Sequence, residues 1–186
     1  MTQENSSLLS KHVLALLRSA TGTPYIHRDF STADELSFLL RECTQKKYSS
    51  YPYIYLAMHG GGAEVCVKSF AKTNLMNGTR NLDWIADQLE GRARGKVIIF
   101  SACAVMNGHG ALLRKFRDKT QAKAIMGYKE NVNWLESAQF ELALLSGLPS
   151  KKRVSESSIR GTLKRLNQTS KKLRGKLQFR VYSELG

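Results

Sequence analysis

Two short apolar runs, Tyr53-Ile54-Tyr55-Leu56-Ala57-Met58 and Val97-Ile98-Ile99-Phe100, constrain this chain most. Both are rich in β-branched and aromatic residues, and neither alternates with polar residues. A strand with one wet face alternates with period two, whereas a strand covered on both faces reads as a continuous apolar run. Residues 81–90 lie between them, with Leu82, Ile85, Ala86 and Leu89 at helical spacing. A third strand candidate, 123–128, follows a helical pattern at 111–119 (Leu112, Leu113, Phe116 inward) and precedes another at 134–145. Strands alternating with helices predict an α/β fold: a three-layer sandwich with a mostly parallel central sheet and helices on both faces.

The flanking segments fit that plan. Residues 7–20 carry Leu8, Leu9, His12, Val13, Leu16 and Leu17 at helical spacing, and Pro24 to His27 read as a short strand or extended entry. Thr32-Ala33-Asp34-Glu35 has the form of a capping box opening a helix over 33–46. Residues 63–67 read as the return strand of a small hairpin. The alternation in Leu177-Gln178-Phe179-Arg180-Val181-Tyr182 predicts an edge strand. The 186 residues suffice for one domain, read as spanning 1–186, with a basic loop and helix at about 150–176.

The apolar runs are far too short to span a bilayer, and the first residues lack a basic stretch followed by an apolar core. The expectation is a soluble cytoplasmic protein without a membrane partner. Three cysteines, Cys43, Cys66 and Cys103, form neither a disulfide framework nor a CxxC pair, and His12, His27, His59 and His109 miss zinc-ligand spacings. No metal and no other cofactor is expected. The net charge is +14, but ten basic residues against one acid fall between Lys151 and Lys176. The excess therefore describes one segment better than the whole fold.

His59 and Cys103 are the first reactive residues after the two apolar runs, and ligands of parallel α/β sheets sit beyond the carboxyl ends of the strands. A thiol nucleophile needs a base to form thiolate and to protonate the leaving amine, and donors for the oxyanion. His59 is the candidate base and acid, and Cys103 the candidate nucleophile. The N–H groups of Gly60 and Cys103 are the candidate oxyanion donors, and the glycines at 60–62 leave room for a substrate backbone. Taken alone, a cysteine after a strand is more often a packed, inert thiol, and His-Gly is a common turn. The pairing at matching strand ends is what singles them out. No Lys-Ser/Thr follows the glycine triplet, which rejects a P-loop. His109 reads as a loop residue that could line the site.

The runs Tyr-Ile-Tyr-Leu-Ala-Met-His-Gly-Gly-Gly and Val-Ile-Ile-Phe-Ser-Ala-Cys resemble the caspase-like cysteine peptidases, closest to their bacterial branch and CHAT-type relatives. The resemblance covers about residues 23–146, and the 44-residue separation suits the family's histidine-before-cysteine order. The Gln-Ala-Cys-x-Gly signature of caspases is replaced here by Ser-Ala-Cys-Ala-Val, which puts aspartate specificity in doubt. The resemblance implies a caspase-like fold and a cysteine endopeptidase acting on a protein substrate. It further implies a role in bacterial antiviral defence, and the small size suggests an effector that works with a partner, either a regulatory or sensor protein or a single dedicated substrate protein. It also implies that the segment after the third strand builds the pocket for the residue before the scissile bond, here Tyr128, Glu130, Asn131, Asn133, Trp134 and Ser137. Glu130 or Glu136 would select a basic residue there, and Trp134 with Tyr128 an apolar one. Trp134 reads equally as a core aromatic at a helix start.

Two other readings compete. Residues 151–176 would form a nucleic-acid- or acidic-partner-binding module, against which stands the simpler solvated basic face, the preferred reading of that run. Lys151-Lys152-Arg153 would also be an accessible processing site for a basic-specific peptidase. Alternatively the chain is a non-catalytic pseudo-enzyme that keeps the fold for binding only.

Overall fold

A computed structural model describes residues 3–67, 78–149 and 154–183. The main sheet has four strands in the order β1 (Tyr53–Ala57), β5 (Val97–Ser101), β6 (Ala124–Tyr128) and β7 (Phe179–Ser183). The first three are parallel, and β7 closes the edge antiparallel to β6. A small antiparallel sheet joins β2 (Gly60–Gly61), β3 (Glu64–Cys66) and β4 (Thr79–Asn81). The hairpin is the expected one; β4 as its third strand had no signal in the sequence.

Helices cover both faces of the main sheet, making the three-layer α/β sandwich that the alternation of patterns predicts. On one face, α2 (Ala33–Glu42), α3 (Leu82–Leu89) and α4 (Gly110–Thr120) bury Leu36, Leu40, Ile85, Leu89 and Phe116 against Ile54, Leu56, Ile98, Phe100 and Ile125. On the other, α1 (Gln3–Thr21), α5 (Trp134–Gly147) and α6 (Glu156–Thr169) bury Leu17, Phe140, Leu144, Ile159 and Leu166 against Val97, Ile99, Met126 and Phe179. The short helix α7 (Lys171–Lys176) leads into β7. Among the described residues no helix is long and apolar enough to cross a membrane.

Local chemistry explains the boundaries. Thr32 forms the full capping box with Glu35. The helix it starts ends at Glu42, short of 46, and Lys46–Tyr48 form a separate 3-10 turn. Residues 24–27 form neither strand nor helix. β5 and β6 are buried at every position, but β1 alternates between half-buried and buried residues. The expectation that β1 is covered on both faces is therefore corrected. It is the edge strand of the sheet, and its second face, carrying Tyr53, Tyr55 and Ala57, is only partly covered.

Candidate active site

The β1–β5 register decides where the chain emerges. It runs from Tyr53 opposite Val97 to Ala57 opposite Ser101, and the Met58 N–H extends it by donating to the Ser101 carbonyl at 3.2 Å. His59 and Cys103 each follow two residues past the last pair, so they leave adjacent parallel strands at the same level. Gly60 then packs on the cysteine itself. A Cβ built at Gly60 would lie 2.7 Å from the Cys103 carbonyl oxygen and 2.8 Å from Val105 Cγ2, whereas one at Gly61 would meet nothing within 4 Å. Residue 60 must lack a side chain for the two loops to approach this closely.

The turn after Cys103 is tightly held. Ala104 is left-handed, with φ 53°, which costs an L-residue on the order of 1 kcal/mol. Its N–H donates to the Glu130 carbonyl at 3.1 Å, and its carbonyl accepts from Ala63 N–H at 3.2 Å and Asn107 N–H at 3.1 Å. The loop of Cys103 is thus tied both to the hairpin after His59 and to the loop after β6. That second loop also reaches the sulfur: the Val132 N–H donates to Cys103 Sγ at 3.5 Å.

His59 is half-buried and packs edge-to-face against Trp134, with ring centroids 5.6 Å apart and planes at 88°. Trp134 opens α5, whose start is capped by Asn133 Oδ1 accepting from the Leu135 and Glu136 N–H groups. The imidazole and thiol make no hydrogen bond to each other; the ring faces Trp134 and the sulfur faces Val132. The His59 carbonyl accepts from Cys66 N–H at 2.8 Å, which makes that pair the hydrogen-bonded one of the hairpin. The next pair, Gly60 opposite Val65, is then the non-bonded one, and the Gly60 N–H points away from β3. Neither that N–H nor the Cys103 N–H has an acceptor among the described residues.

The other expected site residues divide. Glu130, Asn131 and Asn133 are exposed on the loop beside Cys103, and Leu135 beside them is 77% exposed. Ser137 is buried and donates to the Trp134 carbonyl. Tyr128 is buried beneath the loop and donates to Glu141, so its hydroxyl is already used. Glu136 pairs with Lys176. His109 caps α4 through Nδ1, which accepts from Leu112 N–H. Lys151-Lys152-Arg153 lies outside the described residues.

A group that sequence reasoning missed lies under the site. Glu141 on α5 is buried and accepts from three hydroxyls: Tyr55 on β1 at 2.5 Å, Ser101 on β5 at 2.7 Å and Tyr128 on β6 at 2.8 Å. One carboxyl thereby joins all three parallel strands directly below His59 and Cys103. Burial raises its pKa, outweighing the three hydroxyls, which pull the other way. The available signal was an acid on the inward face of α5, four residues after Ser137 and three before Leu144.

The remaining features separate from this site. A cavity of about 530 Å³ lies between α1, residues 23–31 and β1, and neither His59 nor Cys103 lines it. Among the described residues no group of three His, Cys, Asp or Glu side chains is placed to hold a metal ion. All three cysteines are free. Burial pushes the Cys43 thiol up to about 11 and raises Cys66, where Glu64 adds to the effect. Since the thiolate is the reactive form, one equivalent of iodoacetamide at neutral pH is expected to modify Cys103 ahead of both. Peptide mapping by mass spectrometry reads this, and first modification at Cys43 would contradict it.

The model of one protein family, described as a family of unknown function (DUF6642), matches residues 1–183. No curated protein matches the chain.

Proposed function

We propose that this chain, which belongs to the DUF6642 family, is a cysteine endopeptidase of caspase-like type. The observation that carries the reading is the level emergence of His59 and Cys103 from adjacent parallel strands, with Gly60 seated on the Cys103 carbonyl. Three free thiols fit a reducing cytoplasm.

In this reading His59 takes the Cys103 proton, and the sulfur attacks the carbonyl carbon of the scissile peptide. The Val132 N–H faces the sulfur where thiolate charge resides. The carbonyl electron pair moves onto oxygen, and the N–H groups of Gly60 and Cys103, which have no acceptor among the described residues, are the donors for it. The pair then returns, the C–N bond breaks, and His59 delivers its proton to the leaving amine. The thioester that remains is hydrolysed by a water that His59 deprotonates, and the proton ends on the thiol. Catalytic hydrogen bonds commonly tighten only when substrate is bound, so the separate orientations of imidazole and thiol are compatible with this chemistry. In this reading the exposed loop residues Glu130, Asn131 and Asn133, with Leu135, meet the substrate chain.

An acyloxymethyl ketone probe library and a peptide-cleavage library test the reading. Labelling at Cys103 and cleavage are expected, and both disappear in Cys103→Ala and His59→Ala. Labelling at full rate in His59→Ala would remove the dyad.

A further inference from the structure

The described segment 154–183 carries eight basic residues and one acid, Glu156. Among the described residues, Lys176 alone of that segment forms an ion pair, with Glu136. Arg160 and Lys164 stand exposed one turn apart on α6, and Lys171 and Lys172 stand exposed at the start of α7. These four cations have no partner among the described residues. Like charges at helical spacing i, i+4 repel, so an anion bound across this face would relieve an existing strain. Farther along, burial first and Arg180 second lower the Arg174 pKa, a further like-charge contact on this side of the chain.

We propose that the outer face of α6 and α7 is a docking surface for the phosphate backbone of double-stranded nucleic acid. Three features select this partner among polyanions. The apolar residues Ile159 and Leu166 are buried, and none of the large exposed hydrophobic residues lies in this segment. The fully buried core of a protein interface is apolar, and an interfacial helix buries an apolar face among the lipid headgroups; this face supplies neither. No exposed aromatic residue is present on which single-stranded bases could stack. Exposed Ser157, Asn167, Gln168 and Thr169 are interleaved with the cations, and these are side chains that hydrogen-bond phosphate oxygens. Recognition is therefore of the backbone and insensitive to sequence. The surface is independent of the peptidase chemistry, and α7 is fastened beside it by the Lys176–Glu136 pair on the first turn of α5.

Fluorescence anisotropy of the full-length Cys103→Ala chain with a labelled 24-bp DNA duplex tests this. Binding is expected at 50 mM salt and weakens about 100-fold at 200 mM if four phosphates are neutralised. The R160E/K164E/K171E/K172E variant loses binding, and replacement of the same four by alanine weakens it strongly if the glutamate set fails to fold. The K11E/R18E/K46E/R94E variant, which changes net charge equally at exposed sites elsewhere, retains binding. No binding at 50 mM salt overturns the proposal. Undiminished binding by both α6–α7 variants also overturns it. Labelled poly-glutamate bound more tightly than the duplex would assign the face to an acidic protein instead.

Discussion

Gly60→Val lowers the rate of probe labelling at Cys103 by about 100-fold, the effect of misplacing a reacting group by about 1 Å. The added Cβ would fall 2.7 Å from the Cys103 carbonyl and 2.8 Å from Val105 Cγ2. The carbonyl is backbone and Val105 is fully buried, so neither yields cheaply. The relief is for the hairpin after His59 to lift away from Cys103, carrying the imidazole with it. Overpacking of this kind costs about 1–3 kcal/mol, leaving a folded protein in which to measure the rate. Gly61→Ala is the internal control: its Cβ would meet nothing within 4 Å, and labelling should proceed at the wild-type rate. Equal rates in both variants would show that the close approach of Gly60 to Cys103 has no part in reactivity.

Glu141→Ala lowers thermal stability by about 10 °C. The substitution removes the acceptor shared by the hydroxyls of Tyr55, Ser101 and Tyr128, each donating to the carboxyl in a buried setting. An unsatisfied buried polar group costs about 1–3 kcal/mol. Release of the desolvated carboxyl returns part of the total, leaving about 3 kcal/mol, and each kcal/mol moves Tm by about 2–4 °C in a chain of this size. Glu141→Gln keeps an acceptor in place and recovers much of the loss.

The Gln variant also exposes the titration of Glu141. Burial raises the folded pKa above the ordinary 4.5. A group raised in this way stabilises the fold fully below its unfolded pKa, and the contribution is lost as pH rises through the raised value. The difference in urea midpoint, wild type minus Glu141→Gln, should therefore fall as pH rises above the ordinary carboxyl value of 4.5. A difference that grows with pH would mean that the carboxyl is stabilised as an anion.

Much of the architecture was legible in the order of residues. Continuous apolar runs at 53–58 and 97–100 with a helical pattern between them predict a parallel sheet before any contact is known; coverage on both faces accounts for the second run, which is buried throughout, but not for the first, which lies at the sheet edge. The capping box at Thr32 and Glu35 was readable because it is closed by residues three apart. The placement of His59 and Cys103 at strand ends was readable for the same local reason. What the tertiary structure alone decided is how these ends meet. The register pairing Ala57 with Ser101 sets the two residues level, and register depends on partners 44 residues apart, which no local period encodes. The same holds for β1 as an edge strand, for Trp134 against His59, and for Glu141, which reads as an isolated acid until three strands bring hydroxyls to it. Periodicity specifies which face of an element is buried; packing specifies what that face meets.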